Sequence, residues 1–107
     1  MRIIARRTLL EFVESRKHYR DHRALMVAVD AWFAEARKSR WVHAADVKAR
    51  YATASIVSSD RIVFNIKGND YRLVVAVDFE KSIVWIKWIG THRDYDHIDV
   101  KKVNDHA

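Results

Sequence analysis

The stretch IVFNIKGNDYRLVVAVDFEKSIVWIKWIGTHRDYD, residues Ile62–Asp96, decides the fold of this chain. It contains three runs rich in valine, isoleucine and aromatic residues, separated by the pairs Gly68-Asn69 and Glu80-Lys81. Runs of this kind predict consecutive antiparallel strands joined by tight turns. A two-residue turn at Gly68-Asn69 also sets the register, because it places Ile66 opposite Tyr71.

Alternation along the three predicted strands assigns their side chains to two faces, since neighbours in a strand point to opposite sides. One face is predicted to be the core: Ile62, Phe64, Ile66, Tyr71, Leu73, Val75, Val77, Val84, Ile86 and Trp88. The opposite face, called the second face below, is predicted to carry Arg61, Val63, Asn65, Lys67, Arg72, Val74, Ala76, Ile83, Trp85, Lys87 and Ile89. Most outer faces of this kind only meet water. The cations beside a tryptophan nevertheless make the second face the candidate working surface.

Length and composition indicate one domain over residues 1–107, because half of the chain is hydrophobic and 32% is charged. No apolar run approaches the roughly 20 residues of a membrane span, and the N-terminal segment lacks the apolar stretch of a secretion signal. The absence of cysteine excludes disulfides, thiolate metal ligands and a cysteine nucleophile. We expect a cytoplasmic protein.

The positive charge of the chain is unevenly distributed. A net charge of +6 favours a polyanionic partner. Residues 1–50 hold 12 Lys and Arg against 6 Asp and Glu, whereas residues 51–107 hold 8 of each. The excess therefore lies in the first half, where five basic side chains are expected to attract RNA phosphates: Arg37, Lys38, Arg40, Lys48 and Arg50.

The first half is predicted to be helical after a short edge strand at Arg2-Ile3-Ile4. A capping-box spacing favours a helix that begins near Thr8, and apolar residues from Leu25 to Ala36 follow the period of a second helix. A third helical segment is expected within Trp41–Ala52, and residues 53–60 are expected to connect it to the sheet. The short polar tail after residue 96 is expected to fray at its end. Together these elements predict an α+β fold, a small, mainly antiparallel sheet with helices packed on one face.

Six histidines raise the question of a metal site. His18 and His22 have a spacing that two zinc ligands could use on a helix. The chain offers no third ligand at a matching spacing, so exposed histidines between two helices are the better interpretation. We expect no metal and no other cofactor.

Cleavage of RNA is the chemistry that the polar residues suit. The ribose 2′-hydroxyl can attack the neighbouring phosphate when a base, an acid and fixed cations surround it. The candidate cations are Lys67, Arg72 and Lys87. The candidates for proton transfer are His92, Asp94, Tyr95 and Asp96, and the choice between His92 and Tyr95 stays open. Further RNA contacts are expected from Arg61, Asn65 and Trp85, the last by stacking a base.

Two motifs carry a family resemblance: YRLVV at Tyr71–Val75 and GTHRDYD at Gly90–Asp96. With them, the chain resembles the HigB toxins, a branch of the RelE/ParE-like toxins of toxin–antitoxin pairs, over nearly its whole length. Two positions depart from the pattern, since family members often have glutamate where Asp94 stands and proline near Ala44.

The resemblance implies a RelE-like α+β fold and a cytoplasmic bacterial toxin that cleaves mRNA on the ribosome. It also implies a small helix-turn-helix antitoxin of the HigA kind as a partner. Matched by motif, the catalytic positions of the family would be Lys67, Arg72, Lys87, His92 and Tyr95. The superfamily also contains ParE-type inhibitors of DNA gyrase, so a non-catalytic binding protein is the alternative. Convergence of those polar side chains on one surface would favour the nuclease, because an inhibitor has no need of it.

Overall fold

A computed structural model describes residues 1–104 of the chain. The elements are β1 (Arg2–Ile4), α1 (Arg6–Ser15), α2 (His22–Lys38), α3 (Ala44–Arg50), β2 (Ser55–Ile56), β3 (Arg61–Ile66), β4 (Tyr71–Asp78), β5 (Ile83–Thr91) and α4 (His92–Tyr95). The strands form one sheet in the order β1-β5-β4-β3-β2, in which β1 is parallel to β5 and the other pairs are antiparallel. The predicted α+β class, with its mainly antiparallel sheet, is confirmed.

The hairpin between β3 and β4 has the predicted register. Ile66 faces Tyr71 and Asn65 faces Arg72, as a turn centred on Gly68-Asn69 requires. Lys67 and Gly68 both have positive φ angles, 53° and 63°. This backbone region costs glycine little but is uncommon for lysine. The Lys67 side chain therefore leaves the alternation of β3.

The hairpin between β4 and β5 follows the predicted register only as far as Ile86, which faces Val75. Val74 then faces Trp88, so Lys87 is one extra residue in a β-bulge. Beyond the bulge the alternation is reversed relative to the prediction. Ile89 joins the buried core, and Trp88, opposite Val74, lies on the second face. The predicted positions of Trp88 and Ile89 are therefore wrong.

The core lies between the sheet and the first three helices, where a 3.6-residue apolar period gives each helix one buried stripe. The buried helical residues are Leu9, Val13, Leu25, Val29, Trp32, Ala36 and Val47. The Phe64 ring of β3 meets the Trp32 ring at a centroid distance of 5.3 Å and stacks on Trp41 at 6.0 Å. Helix α1 begins at Arg6, two residues before the predicted start, and Ala5 in the N-cap position makes no side-chain hydrogen bond. The predicted Thr8 capping box is therefore wrong.

The C-terminal segment, residues 97–104, lies against the second face of the sheet. The Arg61 guanidinium of β3 donates to the main-chain oxygens of Val100 and Val103 at 3.2 and 3.0 Å. The Lys87 ammonium donates to the Asn104 oxygen at 3.2 Å. The sequence predicted that the end of this tail would fray. Residues 105–107 lie outside the part of the chain that the structure describes. The segment before them forms a cover on the sheet.

Candidate active site

The second face divides into two ends with different surroundings. We call Arg72, Trp88, Gly90 and Tyr95 the open end, and Arg61 and Lys87 beneath residues 97–104 the covered end. Val63 and Val74 lie between the two ends, and Ala76 lies opposite Arg61. All three are buried, although they face away from the helices.

Arg72 is held in place by neutral oxygen atoms. Its Nη1 donates to the Asn69 main-chain oxygen at 2.9 Å, and its Nη2 donates to Asn69 Oδ1 at 2.8 Å. Among residues 1–104, no carboxylate forms an ion pair with this guanidinium. Arg72 is therefore a positioned cation whose charge is available to an anionic ligand.

Tyr95 and Trp88 accompany Arg72 at the open end. The guanidinium carbon of Arg72 lies 5.8 Å from the centroid of the Tyr95 ring. The rings of Tyr95 and Trp88 are 6.2 Å apart between centroids and are tilted by 49°. Helix α4 fixes Tyr95 through a cap, in which Thr91 Oγ1 accepts the Asp94 N–H at 3.1 Å.

His92 opens helix α4 and is exposed. Its main-chain N–H donates to the Asp70 oxygen at 2.9 Å, which ties α4 to the turn between β3 and β4. The same turn holds Asn69, the residue that positions Arg72. The structure therefore connects the predicted proton-transfer segment to the open end through one turn.

Lys67 is directed to the helical side of the sheet, away from the open end. Its Nζ donates to Asp70 Oδ2 at 2.6 Å and lies 3.7 Å from Asp21 Oδ2. The hydrogen bond with Asp70 raises the pKa of Lys67, and the Asp21 charge adds to it. Asp21 in turn accepts the Tyr71 hydroxyl at 2.6 Å, and Tyr71 is a core residue. The predicted placement of Lys67 on the second face is therefore wrong.

Asp21 belongs to a small polar network that closes one edge of the core. The Arg16 guanidinium donates to the Tyr71 hydroxyl oxygen at 3.1 Å, and that hydroxyl donates to Asp21. The hydrogen bond from Tyr71, helped by the charges of Lys67 and Arg16, holds the pKa of Asp21 below its usual value. Burial and the bond to Asp21 raise the pKa of Tyr71. The network thus keeps Asp21 ionised and Tyr71 protonated near neutral pH.

The cations of the covered end are enclosed. Arg61 is 4% exposed and Lys87 is 9% exposed. Besides donating to Asn104, Lys87 accepts the Asn104 side-chain amide on its own main-chain oxygen. Both residues thus hold the C-terminal segment on the sheet, and neither presents its charge openly at this surface.

The other predicted RNA-binding residues are dispersed. Trp85 faces Ala76 toward the covered end and is partly exposed, whereas Asn65 is opposite Arg72. Asn65 also lines an open cleft of about 230 Å³ together with Trp32 and Tyr51.

The five basic residues of the first half lie in the helical layer, on the other side of the sheet. Arg50 forms an ion pair with Glu35, and Lys48 donates to the main-chain oxygens of Ala52 and Ala54 at 2.7 Å each. Arg37 and Lys38 are exposed in the last turn of α2, and Arg40 is exposed just after it. These last three are the better placed to contact an external polyanion.

Within residues 1–104, no group of three or more His, Asp or Glu side chains could hold a metal ion. In the same part of the chain, none of the helices combines the length and the apolar character needed to cross a membrane.

Fold and site together define a small RelE-like α+β protein with a positioned cation and a tyrosine at one end of its sheet. A family model for the HigB toxins, described as the RelE-like toxic component of a toxin–antitoxin system, matches residues 26–98. The match spans more than half of the chain, from α2 through α4. The chain therefore belongs to the HigB toxin family, and the resemblance noted in the sequence is confirmed. A search of curated proteins found no significant match.

Membership of this family makes the chain the toxic component of a toxin–antitoxin system, which implies a cognate antitoxin as its partner. Residues 99–104, which include the oxygens that accept from Arg61 and Lys87, lie outside the matched segment.

Trp88 is the residue of the open end that sequence reasoning missed, because the predicted alternation placed it in the core. Gly90 carried a usable signal. A glycine inside a strand often marks the close approach of another group. A Cβ atom at Gly90 would lie 2.5 Å from two atoms of the Trp88 indole ring.

Proposed function

We propose that this toxin is a metal-independent endoribonuclease that cleaves mRNA on the ribosome. The observation that carries the proposal is Arg72, a guanidinium held by Asn69, without a carboxylate partner among residues 1–104 and 5.8 Å from the Tyr95 ring. A rigid guanidinium of this kind binds a phosphate through two parallel hydrogen bonds.

In the proposed reaction the ribose 2′-hydroxyl attacks the adjacent phosphorus. A base removes the 2′-hydroxyl proton, and the bond from phosphorus to the 5′-oxygen breaks as an acid protonates that oxygen. The products are a 2′,3′-cyclic phosphate and a 5′-hydroxyl end. Arg72 stabilises the negative charge that grows on the phosphate oxygens. His92 and Tyr95 are the candidates for these two proton transfers.

The open end is small, so the ribosome supplies much of the binding energy. Arg37, Lys38 and Arg40 are exposed and contact ribosomal RNA phosphates, which delivers the second face to the codon. The proposed setting is the cytoplasm, with a small HigA-like helix-turn-helix antitoxin as the partner that neutralises the toxin.

A second candidate, a ParE-like inhibitor that binds a protein such as DNA gyrase, has one observation in its favour. The predicted catalytic set does not converge, because Lys67 lies on the helical side of the sheet and Lys87 lies under the C-terminal segment. Gyrase-catalysed DNA supercoiling, measured with and without the purified chain, tests this alternative directly.

The nuclease is tested by single-turnover cleavage on ribosomes programmed with a defined mRNA. We expect Arg72→Ala to lower the cleavage rate by about 10²–10³, the usual scale for the loss of one transition-state donor. Arg93→Ala, on the exposed side of α4, is the matched control and is expected to cleave at the parental rate. Parental cleavage by Arg72→Ala would overturn the nuclease, and efficient cutting of free mRNA would overturn its dependence on the ribosome.

A further inference from the structure

Trp88 has an unusual position for a large apolar side chain. It lies on the face of the sheet that is turned away from the helices, next to the bulge at Lys87, and it stays partly exposed. The core does not require it, because Ile86 and Ile89 fill the neighbouring inward positions of β5. Packing of the helices therefore does not explain a tryptophan here.

The Trp88 indole lies over Gly90, where the lack of a side chain leaves room for it. A Cβ atom there would lie 2.5 Å from Cη2 and Cζ2 of Trp88 and 3.3 Å from Cε2. The two 2.5 Å distances are shorter than any van der Waals contact, so even alanine at position 90 would push the ring away. The six-membered ring thus occupies the space over Gly90, and Gly90 is the ladder partner of Arg72.

This arrangement sets an aromatic surface beside a phosphate-binding cation. Trp88 and Tyr95 have centroids 6.2 Å apart, and the Arg72 guanidinium lies 5.8 Å from the Tyr95 centroid. A nucleotide presents a flat aromatic base and an anionic phosphate joined by one sugar. A protein that binds single-stranded RNA holds the two by stacking and by charge, respectively.

We propose that Trp88 is the binding site for one nucleobase of the RNA whose phosphate contacts Arg72. The proposal deepens the nuclease function and rests on it for the identity of the substrate. Trp88 positions the base and Arg72 grips the phosphate, so Trp88 acts on substrate binding, whereas Arg72 acts on the reaction rate. Trp85 lies near the covered end and serves as the comparison within the same strand.

Binding is tested without cleavage. The ¹⁵N-labelled full-length chain is titrated with a 2′-O-methyl trinucleotide, which lacks the attacking hydroxyl, and with a matched oligomer that lacks its bases. The four indole N–H signals are assigned with Trp→Phe variants. We expect the base-containing oligomer to shift the Trp88 signal, with the base-free oligomer leaving it in place and the signals of the buried Trp32 and Trp41 unmoved by either. A Trp88 signal that ignores both oligomers, or that moves only when antitoxin is added, would overturn the base site.

Function is tested by cleavage on programmed ribosomes with three variants. Trp88→Leu is expected to raise KM by about 5–150-fold, the range for loss of one base–aromatic stack, with a smaller change in kcat. Trp88→Phe is expected to recover part of that loss because it keeps an aromatic ring. Gly90→Ala displaces the ring while keeping the tryptophan, and its KM is expected to rise in the same direction.

The outcomes separate this proposal from the nuclease itself. Parental KM values for Trp88→Leu and Gly90→Ala, with Arg72→Ala impaired, would remove the base site and leave the nuclease intact. Normal cleavage by Arg72→Ala would remove the nuclease, whatever Trp88 does. Urea unfolding of each variant shows that the chains compared are folded.

Discussion

The open and covered ends of the second face carry similar side chains in opposite surroundings. Each end has an arginine that donates to main-chain oxygen atoms. At the open end, the oxygens that accept from Arg72 belong to its own hairpin, at Asn69 and Tyr71. At the covered end, the oxygens that accept from Arg61 belong to a distant segment, at Val100 and Val103.

The position of the acceptor oxygens determines whether each arginine stays accessible to a ligand. Acceptors from within the hairpin aim the Arg72 guanidinium and leave it partly exposed. The acceptors of Arg61 belong to the C-terminal segment, which covers the side chain. Arg61 is therefore only 4% exposed, and its bonds hold that segment on the sheet. Two arginines on one face of a sheet can therefore have different roles: Arg72 is placed to bind a ligand, whereas Arg61 stabilises the fold.

The largest expected effect concerns the proposed proton-transfer groups, Tyr95 of the open end and His92 of helix α4. Replacing the true base or acid, by Tyr95→Phe or His92→Gln, is expected to lower the single-turnover cleavage rate by about 10²–10⁴. The single-turnover rate of each variant on programmed ribosomes, compared with that of the parent, shows which of the two side chains takes part in proton transfer. Two variants that both cleave like the parent would show that neither residue transfers a proton.

An intermediate effect is expected at the covered end, and it is an effect on stability. Arg61→Met keeps the length of the side chain but leaves the oxygens of Val100 and Val103 without their donor. Removing one partner from such a partly buried bond costs about 1–3 kcal/mol. The free energy of unfolding in urea measures this cost, and Arg93→Met on exposed α4 is the control, expected within about 0.5 kcal/mol of the parent. Equal stability of the two variants would show that the cover is not fastened by Arg61.

The hairpin registers show where sequence patterns suffice. Side-chain alternation and two turn pairs predicted the β3–β4 ladder and the β4–β5 ladder as far as Ile86, because each strand buries one face and a slip would expose it. The pattern failed at Lys87, where the bulge inserts a residue without a glycine to mark it. It failed again at Lys67, because a positive φ in a lysine has no compositional signature.

The C-terminal cover was missed for a different reason. Its bonds to Arg61 and Lys87 use main-chain oxygens, which every residue has and which therefore leave no trace in the sequence. A weaker signal did exist in Val63 and Val74, two apolar residues on a face predicted to meet solvent. Both are buried in the structure, so two valines on that face were a sign that the face is covered.

The smallest effect is expected on stability, at Asp21, the partner of Lys67 on the helical side of the sheet. Because the folded-state pKa of Asp21 is lowered, its contribution to stability is present above its ordinary pKa of 3.8 and is lost as pH falls through the lower folded value. The unfolding free energies of the parent and Asp21→Asn are expected to differ modestly at pH 7 and to approach each other below pH of about 4, since Asp21 is partly solvent-exposed. A gap that stays constant between pH 7 and pH 3 would contradict the network of Tyr71, Asp21 and Lys67.

The bulge at Lys87 has a consequence for comparing this strand among relatives. A related chain with one codon fewer here would keep Ile86 against Val75 and Trp88 against Val74, so it would lose a bulge but no pairing. An alignment of such a chain without its coordinates has no reason to place the gap at position 87. A gap placed elsewhere in β5 would compare inward residues with outward ones, and positions such as Trp88 would be scored against the wrong face of the sheet.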